Sequence, residues 1–319
     1  MKAFFLGILV GGILMAQEKS ASALATGDRL FGERKYADAM KEYERVLKES
    51  EGEGNRQVVV EALSQVARCH SLLHELPEGR TWLARAKERA SDAEPLGWSR
   101  YLGVRGIFER ESQDPKAARA TFEELYRYCT EKKLHARAID AVHHLAIVVP
   151  LEEQPAWALK GIQAAEQLQD DAQLAVLWNN LGATYEDLKQ YDPMLDAYQK
   201  AQKYHAKSGG PLQKLIADWA IGHAFRLKGE PGPAQEWLRK SLAQAEDLRR
   251  RDPTAPAAEW LGWSKKDLGE LWMDQGNPAK GLALLKEARA HLVESGIEKD
   301  WPEGLRALDE TIRKAGESK

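Results

Sequence analysis

Apolar residues recur at intervals of three and four along nearly the whole chain, the spacing of a helix buried along one face. The stretch 177–201, LWNNLGATYEDLKQYDPMLDAYQKA, shows it best. Trp178, Leu181, Gly182, Tyr185, Tyr191, Tyr198 and Ala201 fall where two antiparallel helices would place them against each other. No stretch alternates polar and apolar as a half-buried strand would. Start and stop signals punctuate the pattern. Asp114-Pro115 and Asn277-Pro278 put a capping side chain before a proline at the first helical position. Gln154-Pro155 and Glu230-Pro231 put proline in the same register, and Gly229 and Gly276 stand where the preceding helix must stop. The pattern predicts an all-α chain.

The pattern repeats. Sliding the 177–201 frame along the sequence gives seven repeats, beginning near Ser20, Val60, Ser99, Ile139, Ala175, Leu215 and Gly262. The eighth residue of each is Gly or Ala: Gly27, Ala67, Gly106, Ala146, Gly182, Gly222 and Gly269. The twentieth is Gly or Ala in six of the seven, with Met194 the departure. The twenty-fourth is large and apolar: Tyr43, Leu83, Phe122, Ile162, Tyr198, Leu238 and Leu285. Two helices of a hairpin approach most closely where their side chains are smallest, and a large neighbour one turn on fills the space beside the contact. The third repeat fits least well. Arg105 and Glu109 occupy positions expected to be apolar, and Trp98, Leu102 and Phe108 offer a shifted face.

The Trp178–Ala201 segment resembles the tetratricopeptide repeat, whose pattern W-x2-L-G-x2-Y precedes A-x3-F in a unit of about 34 residues. The resemblance covers roughly residues 20–295. It implies a right-handed superhelical solenoid of about seven helical hairpins over 17–319. A last amphipathic helix at 301–316, with Trp301, Leu305, Leu308 and Ile312 on one stripe, would cap it. Most repeats exceed the family length by about six residues, which calls for extra helical turns or longer links. The longest link falls at 247–259, DLRRRDPTAPAAE.

The start of the chain reads differently. Met1 and Lys2 precede an apolar run, AFFLGILVGGILMA, over 3–16. That is the length of a secretory signal core and shorter than the ~20 residues of a membrane-spanning helix. Cleavage is expected after Ala16. Ala21-Ser22-Ala23 suits the small-residue rule better but would cut into the first repeat. The alternative is an uncleaved anchor. On the first reading the protein is exported, periplasmic or secreted, with no stable membrane span after cleavage.

Composition narrows the function. With 46 Lys and Arg against 49 Asp and Glu, the net charge of −3 gives nucleic acid no basic face to bind. Two cysteines, Cys69 and Cys129, cannot build a disulfide scaffold or a four-cysteine zinc site, and they lie in different repeats. No glycine-rich phosphate loop, nucleophile elbow or metalloprotease motif is present. No catalytic residue, cofactor or metal is therefore expected. The nearest approach to a metal site is His70 and His74, four residues apart on an expected helix face. Trp82, Trp157, Trp178, Trp237 and Trp272 lie in packing patterns and are expected in the core.

The resemblance implies that positions 5, 9 and 12 of each repeat face a concave groove. These are His143, Asn179, Trp219 and Lys266 at position 5, His223 and Glu270 at position 9, and Glu186 and Arg226 at position 12. A polar groove with one aromatic anchor suits an extended peptide or a partner helix. The Lys and Asn clamp by which some family members hold acidic C-termini is absent. The expected function is a non-catalytic scaffold that binds a protein or peptide. The alternatives are a ligand-sensing or enzymatic pocket, for which His143, His223 and Glu186 are the candidates, and a self-association module.

Overall fold

The structure is a computed structural model that describes residues 23–50, 55–251, 257–299 and 301–317. The expected signal segment and its cleavage point lie outside the described residues. Helices dominate, and no strand occurs among the described residues. The chain divides into two compact units, residues 1–150 and 151–319, and each is described by itself.

In the first unit the helices are α1 (23–32), α2 (Tyr36–Ser50), α3 (Arg56–Leu72), α4 (Leu76–Arg89), α5 (Pro95–Glu111), α6 (Pro115–Glu131) and α7 (His135–Val148). In the second, a short 3-10 turn at Leu151–Glu153 leads into α8 (Gln154–Gln167) and α9 (Asp171–Asp187). Then come α10 (Tyr191–Ser208), α11 (Pro211–Leu227), α12 (Pro231–Arg251), α13 (Ala257–Asp274), α14 (Pro278–Glu294) and α15 (Pro302–Glu317). Within each unit, from α2 to α7 and from α8 to α15, each helix packs on its sequence neighbour, and the first helices of successive hairpins also touch, α3 with α5, α5 with α7 and α11 with α13. Six of the seven expected hairpins lie whole within one unit. The fourth, α7 and α8, is divided between them.

The small–large code has a direct structural cause. A methyl at Gly182 would sit 2.4 Å from Tyr198 Cε1, at Gly106 2.6 Å from Phe122 Cε1, and at Gly27 2.5 Å from Tyr43 Cε1. The large residue sixteen positions on lies flat against the glycine backbone, so even a methyl is too large there. At Gly281 a methyl would strike the Gly269 carbonyl at 2.7 Å, so the twentieth position is small because the facing backbone is close. Met194, the exception, is fully buried with Tyr198, Ala220 and Ile221. The third repeat keeps the expected register. Leu102 is fully buried, and Gly106 lies under Phe122. Arg105 and Glu109 turn sideways into an ion pair of 2.7 Å, and Glu109 also accepts from the Thr121 hydroxyl.

The extra residues per repeat are largely an added turn at the start of the first helix. α3, α5, α9 and α11 are each 17 residues long and begin about four residues before the repeat frame. The turn inside the hairpin is the same each time. The second residue after the helix takes a left-handed conformation: Arg34, His74, Gln113 and Lys189 at φ of 60°, 62°, 59° and 56°, and Gly229 and Gly276 at 76° and 74°. The next N–H returns to the carbonyl five residues back, as from Glu75 to His70 at 2.8 Å and from Gln190 to Tyr185 at 2.8 Å. The fourth repeat cannot make this turn. Val149 is extended before Pro150, as a residue preceding proline prefers.

Several expectations need correction. His74 is not on a helix face with His70, because α3 ends at Leu72 and His74 forms the left-handed turn. His70 Nδ1 lies instead 2.7 Å from Glu75 Oε2. Asp114 caps α6 through the Ala117 N–H at 3.0 Å, but Asn277 makes no capping bond and donates to the Gln275 carbonyl. Of the five tryptophans expected in the core only Trp178 is buried. Trp82, Trp157, Trp237 and Trp272 are half-buried, the first three beneath a cation one turn on in the same helix and Trp272 beneath Lys280 of α14, 3.5 Å from its ring. The link at 247–259 is largely helix, since α12 runs to Arg251 and α13 starts at Ala257. Cys69 and Cys129 are buried free thiols. The capping helix forms as expected, with Leu305 and Leu308 of α15 closing over Leu285 and Leu292 of α14.

Candidate functional site

Seven of the eight groove candidates lie in the second unit, on α9, α11 and α13, the first helices of three successive hairpins. Five of them bond to one another through a residue that repeat position did not single out. Asp267 of α13 is 1% exposed, and its Oδ1 lies 2.9 Å from His223 Nδ1 and accepts from Arg226 Nε at 2.9 Å. The other ring nitrogen of His223 is 3.0 Å from Glu186 Oε1. Arg226 Nη2 stands 2.8 Å from Glu270 Oε2, and Lys266 Nζ is 2.7 Å from Glu270 Oε1. Three cations thus face three carboxylates in a half-buried strip across three helices.

The protonation states follow. Burial disfavours the His223 imidazolium, but the carboxylates of Asp267 and Glu186 outweigh it and raise the group to about 9. Burial would also protonate Asp267, yet His223 and Arg226 hold its carboxyl well below the usual range. Glu186 is likewise lowered, the bond from His223 prevailing over burial. Trp219 stacks on this imidazolium, with ring centroids 5.0 Å apart and planes at 18°, and Trp260 meets its edge at 5.2 Å. Its indole N–H is buried without an acceptor. Asn179 sits half-buried on α9 and enters none of these bonds.

His143 belongs to the first unit. It borders an open-mouthed cavity of about 480 Å³ lined by α1, α2, α3, α5, α6 and α7. Burial lowers its pKa, and lowers that of neighbouring His144 to about 4. Both rings are therefore neutral at pH 7. The His144 ring stacks on Phe122, centroids 4.7 Å apart.

Asp267 escaped sequence reading because its partners are 41 and 44 residues away on another hairpin. A signal existed. His223 and Arg226 on one first helix, and Asp267 and Glu270 on the next, are complementary pairs spaced i, i+3, and so share a face. No group of three or more His, Cys, Asp or Glu side chains among the described residues is arranged to hold a metal ion.

Comparison with known proteins agrees with this architecture. Residues 175–206 match the tetratricopeptide repeat. No curated protein matches the chain. Among solved structures, the chain is similar to BtubC from P. vanneervenii at 14% identity and a TM-score of 0.56, covering 74% of this chain and 94% of that one. It is similar to the apo form of RapI at 11% identity and a TM-score of 0.60, covering 88% and 99%. It also resembles a signal transduction ATPase with a tetratricopeptide repeat sensor from Pyrococcus horikoshii, at 14% identity and a TM-score of 0.61, covering 98% of this chain and 47% of that one. These likenesses establish an all-helical, tetratricopeptide-like fold. No helix among the described residues is long and apolar enough to cross a membrane.

Proposed function

We propose that the protein is an exported, non-catalytic scaffold that recognises a protein or peptide on the first-helix face of its second unit. The observation that carries this reading is the strip formed by Glu186, His223, Arg226, Asp267, Lys266 and Glu270, with Trp219 half-buried beside it. Three hairpins contribute to one surface whose side chains are already fixed, so a partner would lose little entropy ordering them. The same geometry disfavours catalysis. Both nitrogens of His223 are bonded to carboxylates, which leaves neither free to take a proton from a nucleophile, and the ring stays protonated at neutral pH. The apolar run at 3–16, cleaved after Ala16, would deliver the scaffold to the periplasm or exterior.

The test is selection from a displayed random-peptide library on the immobilised protein, followed by affinity measurement on Trp219→Ala and Asn179→Ala together. We expect selected peptides to lose at least about tenfold in affinity, the effect of one interface anchor. Peptides that bind the double variant unchanged, or no enrichment, contradict the assignment. Amino-terminal sequencing of protein recovered from the periplasm should begin at Gln17. A chain that remains in the cytoplasm argues against export. A second reading, a small-molecule pocket, is favoured by one specific feature, the cavity of the first unit.

A further inference from the structure

That cavity is bordered by guanidinium groups from three successive first helices: Arg68 of α3, Arg100 of α5 and Arg137 of α7. Two of the three are spent. Arg68 Nη1 bonds Ser71 Oγ at 2.6 Å and Glu111 Oε1 at 3.2 Å. Arg137 Nη2 donates to the buried Glu61 at 2.8 Å. Arg100 is not. Its side chain is only 23% exposed, its Nε is buried without a hydrogen-bond acceptor, and Glu61 Oε2 stands off at 3.9 Å. A guanidinium that is largely removed from water normally takes a carboxylate in a close, often bidentate, pair.

Of the acidic groups around it, Asp28 and Glu111 accept hydrogen bonds from other side chains, and Asp140 faces solvent. Asp28 Oδ1 accepts from Tyr43 Oη at 2.7 Å and Gln65 Nε2 at 3.2 Å, and Glu111 also accepts from Ser71 Oγ. Asp140 is half-exposed and 3.9 Å from His144 Nε2. The field in the cavity is felt by Arg137, which burial first, and then the charge of Arg100, lower to about 10. The remainder of the lining is apolar, with Phe31, Leu72, Val104, Ile107 and Leu125. Gly103 opens the space, since a methyl there would meet nothing nearer than Leu125 at 3.7 Å.

We infer that this cavity binds a small organic carboxylate with an apolar body, the acid on Arg100 and the hydrocarbon against Phe31, Leu72 and Ile107. A single guanidinium with an open donor, in a lining that also holds Asp28 and Asp140, suits a monoanionic carboxylate better than a phosphate dianion. The volume of about 480 Å³ falls in the range of small-ligand sites. The inference is independent of the peptide-binding face in the second unit.

The test is calorimetric titration and thermal shift of the full chain with 3-phenylpropionate and 4-methylvalerate at millimolar concentration. The alcohols of the same skeletons, phenyl phosphate, and a short peptide with a free C-terminus serve as comparisons. The acids should raise the melting temperature and the alcohols should not. Arg100→Met should weaken acid binding at least about tenfold, the cost of one charge-assisted hydrogen-bonded pair. Gly103→Met, which fills the space and leaves every charge in place, should abolish the response, with the circular dichroism of both variants unchanged. No response to either acid, equal response to the alcohols, or acid binding retained in both variants overturns the inference. So does tighter binding of phenyl phosphate or of the peptide, either of which assigns the cavity to another ligand class.

Discussion

The two units solve the same problem differently. In each, charged residues interrupt the apolar faces of the first helices and are drawn into the stack. In the second unit they are matched across hairpins, Asp267 with His223 and Arg226, and Glu270 with Arg226 and Lys266. In the first, Glu61 takes Arg137, and Arg100 is left beside a cavity. Residue type is similar in both places. What differs is whether the next first helix presents a partner at the right height. A repeat array therefore fixes its binding chemistry between repeats, while its packing is decided within them.

The sharpest way to break this comparison is to remove the centre of the matched network. Asp267→Ala leaves His223 and Arg226 charged and buried without their shared acceptor, and should destabilise the second unit by about 3–5 kcal/mol in urea unfolding. A loss under about 1 kcal/mol would mean that the pairs are ordinary surface ion pairs.

One histidine in each unit should answer pH in the opposite direction to the other. His223 is raised from an unfolded value near 6.5 to about 9, so its contribution is complete below pH ~6.5 and is lost as pH rises through 9. His144 is depressed to about 4, so its contribution is present above pH ~6.5 and is lost as pH falls through 4. Urea midpoints against pH should flatten on the alkaline side in His223→Gln and on the acid side in His144→Gln. The same flank flattening in both variants would refute the contrast.

The packing code, by comparison, should act alike in both units. Gly106→Ala and Gly182→Ala press a methyl onto Phe122 and Tyr198, and each should cost about 1–3 kcal/mol. Gly103→Ala, with open space above it, should stabilise by about 0.5–1 kcal/mol. Thermal melts of the three decide it, and a neutral Gly182→Ala would contradict the close approach. The smallest effect belongs to the turns. Gln113 in the first unit and Lys189 in the second hold left-handed backbone that Gly229 and Gly276 hold without strain. Gln113→Gly and Lys189→Gly should each stabilise by roughly 0.5–1 kcal/mol.

These contrasts mark what could be read in advance. Gly182 and Tyr198 are sixteen residues apart within one hairpin, so the rule joining them repeats in the sequence at fixed spacing. The hairpins, the capping helix and the face bearing Trp219, His223 and Lys266 were legible for that reason. Asp267 was not, because its meaning depends on α11, one hairpin away. The His70–His74 spacing misled, because the helix stops at Leu72 and the turn carries His74 off its face. The role of Arg100 was hidden for a different reason. An unmatched charge is defined by an acceptor that fails to arrive, and no pattern in a single chain records that.

The difference between a closely and a loosely paired half-buried arginine can be measured in one comparison, the melting temperatures of Arg226→Met and Arg100→Met without ligand. Removing Arg226 strips Asp267 and Glu270 of a partner and should lower the melting temperature by several degrees, whereas removing Arg100 should leave it unchanged or raise it. Equal losses in the two variants would show that Arg100 is as firmly paired as Arg226, and that the contrast between the units does not exist.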